Sequence, residues 1–490
     1  MGWRDLLRVA RTASIPPARR IWDSPALYFT LAGLLLVAAF ASQLELRFPS
    51  RPVRPVEDLL ALRDRDDLNV VFLLIDTLRA DRLGVYGYGR PTSPVLDAAA
   101  ASGIVFDEVV AQSSWTKTSM ASMWTATHPI RNGVLRHGHA IPEEAVMPAE
   151  RFRDAGYRTA GLFRNGWVEG VFGFDQGFAT YLRPAIGSER IRMHREARTV
   201  TPIAGSDEDL TIAALAFLDR FRDERFLLYL HFMDVHQYVY DEASAIFGTS
   251  YSDVYDQAIR WTDRLVGVLL QRLEDEGLLA RTLVVIASDH GEAFLEHGYE
   301  GHARNLYEEV ARVPLILLPP FRLEPGVRVK TTISNADVWP TVLDLVGLPP
   351  LPGVDGRSML PLILAAGGAA PPPAAAAAEL ERPVFAQIVR GWGRPKAENP
   401  SSLVSVTHAG KRLVATLGAD DPPELYDHAS DPDEQENFAS DDPDTTARMQ
   451  AWIDAYAADR APPWGRPPSE IELDELRLNH LRALGYVIER

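Results

Sequence analysis

The chain reads as an α/β fold in which a mostly parallel β-sheet is sandwiched by helices and followed by a smaller α+β domain, and three observations predict it. Apolar, β-branched-rich runs alternate with stretches of helical periodicity from Asn69 to about Pro349, the pattern of βα units around a parallel sheet. Three of these runs end in acidic or imidazole side chains: NVVFLLIDT at Asp76, FLLYLHFMDVH at Asp234 and His236, and TLVVIASDHGE at Asp289 and His290. Ligands of open α/β sheets bind outside the carboxyl ends of the strands, so three such endings converge on one site with donors that a metal ion takes. Finally, 490 residues exceed the usual single domain of about 100 to 200 residues, which leaves room for a second unit.

Composition narrows the function classes. A formal charge of −17 argues against a nucleic-acid partner, so an anionic substrate must be gripped by a local cluster of basic groups. The chain has no cysteine, which excludes disulfides, thiolate metal sites, a cysteine nucleophile and a lipidated cysteine.

Taken in order, residues 1–25 form a basic segment carrying Arg4, Arg8, Arg11, Arg19 and Arg20. Residues 26–44 are uncharged and, at roughly 1.5 Å per residue, cover most of a bilayer as a helix. The positive-inside rule then predicts a single-pass membrane anchor with a cytoplasmic amino terminus and an extracytoplasmic catalytic part. Ala39-Phe40-Ala41 also matches a signal-peptidase site, so a cleaved signal is the alternative; the long basic leader favours the anchor. Residues 45–67, rich in proline and charge, read as a tether. The catalytic domain is expected over 68–364, with its clearest helices at Glu208 to Phe221 and Val254 to Glu276. Residues 365–382, largely alanine, glycine and proline, read as a surface linker. The remaining 383–490, with strands expected at Val384 to Val389 and Arg412 to Thr416 and a helix near Thr445 to Ala457, form the smaller domain.

Asp76 follows six apolar residues and so stands at a strand end, where it either binds a cation or caps the next turn. Met120, Met123, Trp124 and Thr127 recur at helical spacing, so a helix begins just after Thr116 and turns its free N–H groups towards an anion beside that hydroxyl; a plain capping role is the alternative. Asp289 and His290 adjoin a Gly-Glu turn and form either part of a metal shell or a hydrogen-bonded structural couple.

The segments NVVFLLIDTLRADRLGVYGY, SWTKTSMASMWTATHPIRNGV, MDVHQY, SDHGEAFLEHG and GHARNLYEEVARVPLI occur in an order that resembles the sulfatase family of the alkaline phosphatase superfamily. The resemblance runs from Asn69 to Leu362 and resumes at ELYDHASDPDEQENFAS. It implies an alkaline-phosphatase-like fold and a divalent metal, Ca²⁺, Mg²⁺ or Mn²⁺ with Zn²⁺ also admissible, held by Asp76, Asp289, His290 and Thr116. Thr77 holds the place of a second acidic residue of many sulfatases. Thr116 falls where the family carries the cysteine or serine that is oxidised to formylglycine, so no formylglycine is expected. A threonine there resembles the phosphodiesterase, phosphonate hydrolase and phosphoglycerol transferase branches, in which the metal-activated hydroxyl attacks phosphorus.

By the same resemblance His236 and His302 bind the ester's anionic oxygens or protonate the leaving group, His302 standing where many sulfatases have lysine. Lys117 and Arg79 are candidates for charge stabilisation, and Arg164 and Asn165 lie near the place of another lysine. Asp234 either joins His236 and His302 around a second metal or orients His236, while His231 and His297 read as structural. The expected function is that of a membrane-anchored, metal-dependent hydrolase or transferase acting on phosphate mono- or diesters through Thr116. A sulfuric ester hydrolase without formylglycine and an inactive anion-binding membrane protein are the alternatives. An outward-facing domain makes lipid head groups, cell-wall polymers and surface glycans the expected substrates.

Overall fold

A computed structural model of the chain describes residues 51–185, 189–193, 200–389, 401–473, 475, 478 and 481. The basic segment and the membrane span expected at 1–25 and 26–44 lie outside the described residues. Among the described residues no helix is long and apolar enough to cross a membrane.

Eight strands form the central sheet: β1 (Asn69–Ile75), β2 (Ile104–Phe106), β3 (Arg158–Phe163), β4 (Thr180–Leu182), β5 (Phe226–Phe232), β6 (Thr282–Ala287), β7 (Leu315–Leu318) and β8 (Val327–Val329). Their order is β8-β2-β7-β6-β1-β5-β3-β4. The run from β6 to β4 is parallel throughout, as the alternation of strands and helices predicts. At the other end β7 pairs antiparallel with both β6 and β2, so the sheet is mixed. The connection from β6 to β7, residues 288–314, is long enough for a crossover, but its only helix is the four-residue Glu308–Ala311; a parallel return is usually made by a helix packed on the sheet, and this segment supplies none of that length.

The central strands are buried on both faces. Val70, Phe72 and Leu74 face one core while Val71, Leu73 and Ile75 face the other, which is why β1 reads as a continuous apolar run instead of an alternating one. Helix α1 (Thr116–Thr125) covers the first face, with the Trp124 ring 5.0 Å from Tyr229, 4.7 Å from Trp339 and 5.9 Å from Phe72. Helices α2 (Asp207–Phe221) and α3 (Tyr251–Asp275) cover the second. Each starts at a reciprocal cap, Ser206 with Asp209 and Ser250 with Asp253, that satisfies N–H groups left over in the first turn.

Two expected connectors are built into the structure. Within the expected tether, Val56–Asp64 forms a 3-10 helix with Val56, Leu59 and Leu62 buried. Its three apolar residues at spacing three supply the face that docks, a signal outweighed in the sequence by the surrounding prolines and charges. Within the expected linker, Ala374–Leu380 is helical and Leu380 is buried, in keeping with the high helix propensity of alanine. The carboxyl-terminal domain is a four-stranded antiparallel sheet, β9 (Val384–Val389), β10 (Ser402–His408), β11 (Lys411–Thr416) and β12 (Glu424–Asp427), paired in chain order. Helix α4 (Pro443–Ala458) packs Met449, Ile453 and Tyr456 on it.

Candidate active site

Strand register brings the distant segments together. Leu74 of β1 pairs with Ala287 of β6 and with His231 of β5, so Asp76 and Asp289, each two residues beyond the paired positions, leave the sheet at one edge. Asp76, Asp289 and His290 are all fully buried there. Gly291 permits the turn that follows: a Cβ on it would collide with the Glu309 carbonyl.

Thr116 opens α1, where first-turn N–H groups lack intrahelical acceptors, and its side chain is buried. Its Oγ1 lies 3.1 Å from His290 Nε2 and 3.5 Å from Asn165 Nδ2. His290 donates from Nδ1 to the Gly291 carbonyl at 2.9 Å, which leaves the Nε2 lone pair towards Thr116 and, at 3.3 Å, Asp289 Oδ2. Asp289 Oδ1 accepts the Thr77 N–H at 3.2 Å. That N–H is aimed by a left-handed backbone at Thr77, φ 59°, an arrangement costing a β-branched residue on the order of 1–3 kcal/mol. The Tyr255 hydroxyl, donating to the Thr77 carbonyl at 2.7 Å, helps to hold it.

The residues present fit a divalent cation. Ligand atoms of Asp76, Asp289 and His290 lie within 4.8 Å of one another. Among the described residues Asp76 Oδ1 and Asp289 Oδ2 are buried with no hydrogen-bond partner, an expensive condition for carboxylate oxygens. Burial works to raise the pKa of Asp76, but His236, His231 and His290 outweigh it and hold Asp76 below the usual range. Burial and the neighbouring Asp76 push Asp289 up. Two buried anions in one pocket compete for charge in this way, and a cation between them removes the conflict. Two oxygen donors, one imidazole and the Thr116 hydroxyl suit Mg²⁺, Ca²⁺, Mn²⁺ or Zn²⁺.

Beyond this cluster stand His236 and His302, with rings 5.0 Å apart, and the His302 ring is 4.6 Å from that of His290. His302 donates from Nδ1 to Glu292 Oε1 at 3.2 Å. Burial lowers the His302 pKa and the Glu292 carboxylate more than offsets it, so the imidazolium persists above the ordinary histidine range. Asn165 also belongs here: its Nδ2 donates to Asp76 Oδ2 at 2.5 Å and its Oδ1 accepts the Trp167 N–H at 2.8 Å.

Other expected site residues are engaged elsewhere. Lys117 is buried, its Nζ donating to the His137 carbonyl at 2.5 Å and lying 3.6 Å from the Phe172 ring centre; burial drives its pKa well down. One step along a helix turns a side chain by roughly 100°, which carries Lys117 away from the direction of Thr116. Arg79 pairs with Asp81 at 2.7 Å and Glu296 at 2.6 Å and donates to the Glu292 carbonyl, so it braces the turn that bears Glu292. Arg164 is neutralised by Asp234 at 2.5 Å and Asp207 at 3.1 Å. Asp234 in turn accepts Arg164 on one oxygen and the Trp261 indole N–H, at 2.9 Å, on the other. Both its oxygens are thereby used, and the second-metal reading of Asp234 is not supported.

Two contributors, one read as structural and one given no role, are not among the site residues expected from sequence. His231 donates from Nε2 to Asp76 Oδ2 at 2.9 Å while its Nδ1 meets the Tyr229 hydroxyl at 2.6 Å. A histidine inside an apolar strand is visible in the sequence, but only the pairing register says that it faces Asp76. Glu292 stands two residues after His290 in the SDHGE segment, where its acidity was a usable signal. His297, read as structural, bonds Glu309 and the Glu434 carbonyl.

A family model described as Sulfatase matches residues 68–348, more than half of the chain. Steryl-sulfatase of Rattus norvegicus is 26% identical over 416 residues, which cover 62% of this chain and 72% of that protein. Arylsulfatase K of Gallus gallus is 32% identical over 201 residues, 38% of this chain and 33% of that protein; the match thus spans about a third of its length. Among solved structures, Ps i-CgsB in complex with k-i-k-neocarrahexaose has a TM-score of 0.65 at 17% identity, covering 86% of this chain and 98% of that one. The phosphonate monoester hydrolase of Agrobacterium radiobacter has a TM-score of 0.62 at 19% identity, covering 79% and 94%. These two likenesses show the alkaline-phosphatase-like α/β fold.

Proposed function

The chain belongs to the sulfatase family of hydrolases, and from that premise we propose that it is a metal-dependent hydrolase of phosphate or phosphonate esters with Thr116 as nucleophile. The observation that carries this reading is the buried Thr116 hydroxyl 3.1 Å from His290 Nε2, at the edge of the Asp76, Asp289 and His290 cluster. A chain without cysteine and with threonine at this place has no route to the formylglycine aldehyde by which the family ordinarily cleaves sulfate esters. A hydroxyl nucleophile suffices for attack at phosphorus.

A cation bound by Asp76, Asp289 and His290 would polarise the ester and favour ionisation of the adjoining hydroxyl. Thr116 Oγ1, oriented by Asn165 and the start of α1, gives up its proton to solvent and forms the bond to phosphorus. The P–O bond to the alcohol breaks as His302, kept protonated by Glu292, supplies the proton that the departing oxygen takes up. Water then cleaves the Thr116 ester and restores the hydroxyl. His236, beside His302, contacts the anionic ester oxygens.

Sulfate esters are the second reading, favoured by the names of the steryl-sulfatase and arylsulfatase K relatives described above. A panel of aryl phosphodiester, phosphonate monoester, phosphate monoester and aryl sulfate separates the two. Thr116→Ala is expected to lower turnover of the phosphorus ester by at least about 10³-fold, with an unchanged melting profile, and mass spectrometry is expected to find the trapped adduct on Thr116. Activity confined to the aryl sulfate, or survival of activity in the alanine variant, overturns the proposal.

A further inference from the structure

Strand β5 brings a second side chain to bear on Asp76 through His231. Successive strand residues point to opposite faces, so Tyr229 and His231, two positions apart, share one face. Register sets them beside Phe72 and Leu74, which precede Asp76 at the same spacing. Tyr229 is 1% exposed, and its ring is enclosed by Trp124 at 5.0 Å, Phe72 at 5.8 Å and Phe178 at 6.2 Å. Trp124 belongs to α1, the helix that opens with Thr116, so the nucleophile's own helix helps to hold this ring. The enclosure aims the Tyr229 hydroxyl at His231 Nδ1, 2.6 Å away, while His231 Nε2 lies 2.9 Å from Asp76 Oδ2.

Hydrogen-bond accounting fixes where the hydrogens of this chain lie. A carboxylate only accepts, so His231 Nε2 carries the hydrogen that Asp76 Oδ2 takes. A buried hydroxyl must in turn find an acceptor, and among the described residues His231 Nδ1 is the only one bonded to Tyr229. A hydrogen on both ring nitrogens would leave the Tyr229 O–H without an acceptor, an uncompensated burial. The ring is therefore held as the single tautomer with its hydrogen on Nε2. Without the tyrosine the hydrogen is free to sit on Nδ1, which would turn a bare Nε2 lone pair on the carboxylate. Asp76 Oδ2 would then keep Asn165 alone as a side-chain donor, and the carboxylate would be free to rotate.

We propose that Tyr229 is a positioning residue for the cation site: its hydroxyl locks His231 as the Nε2–H tautomer, and that tautomer holds Asp76 with Oδ1 directed to the space shared with Asp289 and His290. The role rests on the metal-dependent reading above. The full chain, its Tyr229→Phe and His231→Ala variants and the double variant are titrated with Mn²⁺, and the ring-nitrogen NMR signals of ¹⁵N-labelled histidine are recorded without metal. The wild type is expected to show His231 protonated at Nε2 and bare at Nδ1. Tyr229→Phe, which keeps the ring and its packing, is expected to lose that signature and to bind Mn²⁺ about tenfold more weakly. Because the tyrosine acts through His231, the same substitution in the His231→Ala background is expected to leave Mn²⁺ affinity unchanged, whereas loss of packing alone would weaken both backgrounds equally. A hydrogen on Nδ1 of His231 in the wild type overturns the proposal without recourse to Tyr229→Phe. Equal Mn²⁺ affinity in the wild type and Tyr229→Phe, or an equal loss in both backgrounds, overturns it too, and leaves the metal site standing. A wild type that takes up no Mn²⁺ refutes the metal reading itself, and the role of Tyr229 falls with it.

Discussion

Asp76 receives two donors, His231 and Asn165, on the same oxygen, Oδ2, and so keeps Oδ1 directed to the shared space with Asp289 and His290. Neighbours of this kind fix a ligand's orientation and its charge, and their loss typically costs about 10- to 100-fold in metal affinity or activity. His231→Ala and Asn165→Ala are therefore expected to lower kcat by that factor. In each, the rise in melting temperature on adding Mn²⁺ or Zn²⁺ is expected to be smaller than in the wild type, and an unchanged metal response would remove both residues from the site. Adjacent residues diverge at this scale. Asn165 enters the site while Arg164 is spent on Asp234 and Asp207, and Thr116 enters while Lys117 turns into an aromatic enclosure.

At the scale of elements, the site is the place where β1, β5 and β6 end together and α1 begins. What keeps these ends in register is packing on both faces of the sheet. The short helix Val56–Asp64 extends that packing: Leu59 is fully buried, and Arg63 pairs with Asp344 at 2.5 Å on the helix Val338–Leu345. Leu59→Ala is expected to destabilise the protein by about 2–5 kcal/mol, read as a lower midpoint in urea. A change below about 0.5 kcal/mol, normal for surface positions, would mean that this segment is a tether after all. The prolines at 49, 52 and 55 mark only its approach.

Across the whole molecule, the two sheets are joined by charge. Arg412 on β11 is buried and reaches Glu308 at 2.8 Å and Glu434 at 3.1 Å, and His297 bonds Glu309 at 3.1 Å and the Glu434 carbonyl at 2.8 Å. Acceptors on both nitrogens require the doubly protonated imidazolium. Burial lowers the pKa of His297, but Glu309 and then Glu434 reverse this and raise it to about 9. A raised histidine contributes stability that is complete below its unfolded pKa of about 6.5 and is lost as pH climbs through the folded value. The melting temperature is therefore expected to fall between pH 6.5 and 9, and His297→Gln to flatten that part of the profile; the same slope in both proteins would exclude this group. Residues 26–44 carry the remaining expectation at this scale. The full chain should sediment with membranes after expression and a chain starting at Ser50 should not, and a soluble full chain would discard the anchor.

The sequence by itself determined the βα alternation, the long helices α2 and α3, and the ordered segments that hold Asp76, Thr116, Asp289, His290 and His302. The alternation and the helices follow from local periodicity, Asp76, Thr116 and Asp289 from their places at strand ends and a helix start, and the roles of the ordered segments, with His302 among them, from their resemblance to the sulfatase family. Only the tertiary structure decided which charge meets which. Lys117, Arg79 and Arg164 look alike in sequence as candidate anion binders, yet each is taken by partners from the rest of the chain, 20 to 217 positions away for Lys117 with His137 and Arg79 with Glu296. His231 shows the converse, since a residue read as structural becomes a donor to Asp76 because strand register sets the face it occupies. Neutralisation of a buried charge is a property of three-dimensional neighbours, and a local pattern carries no term for it.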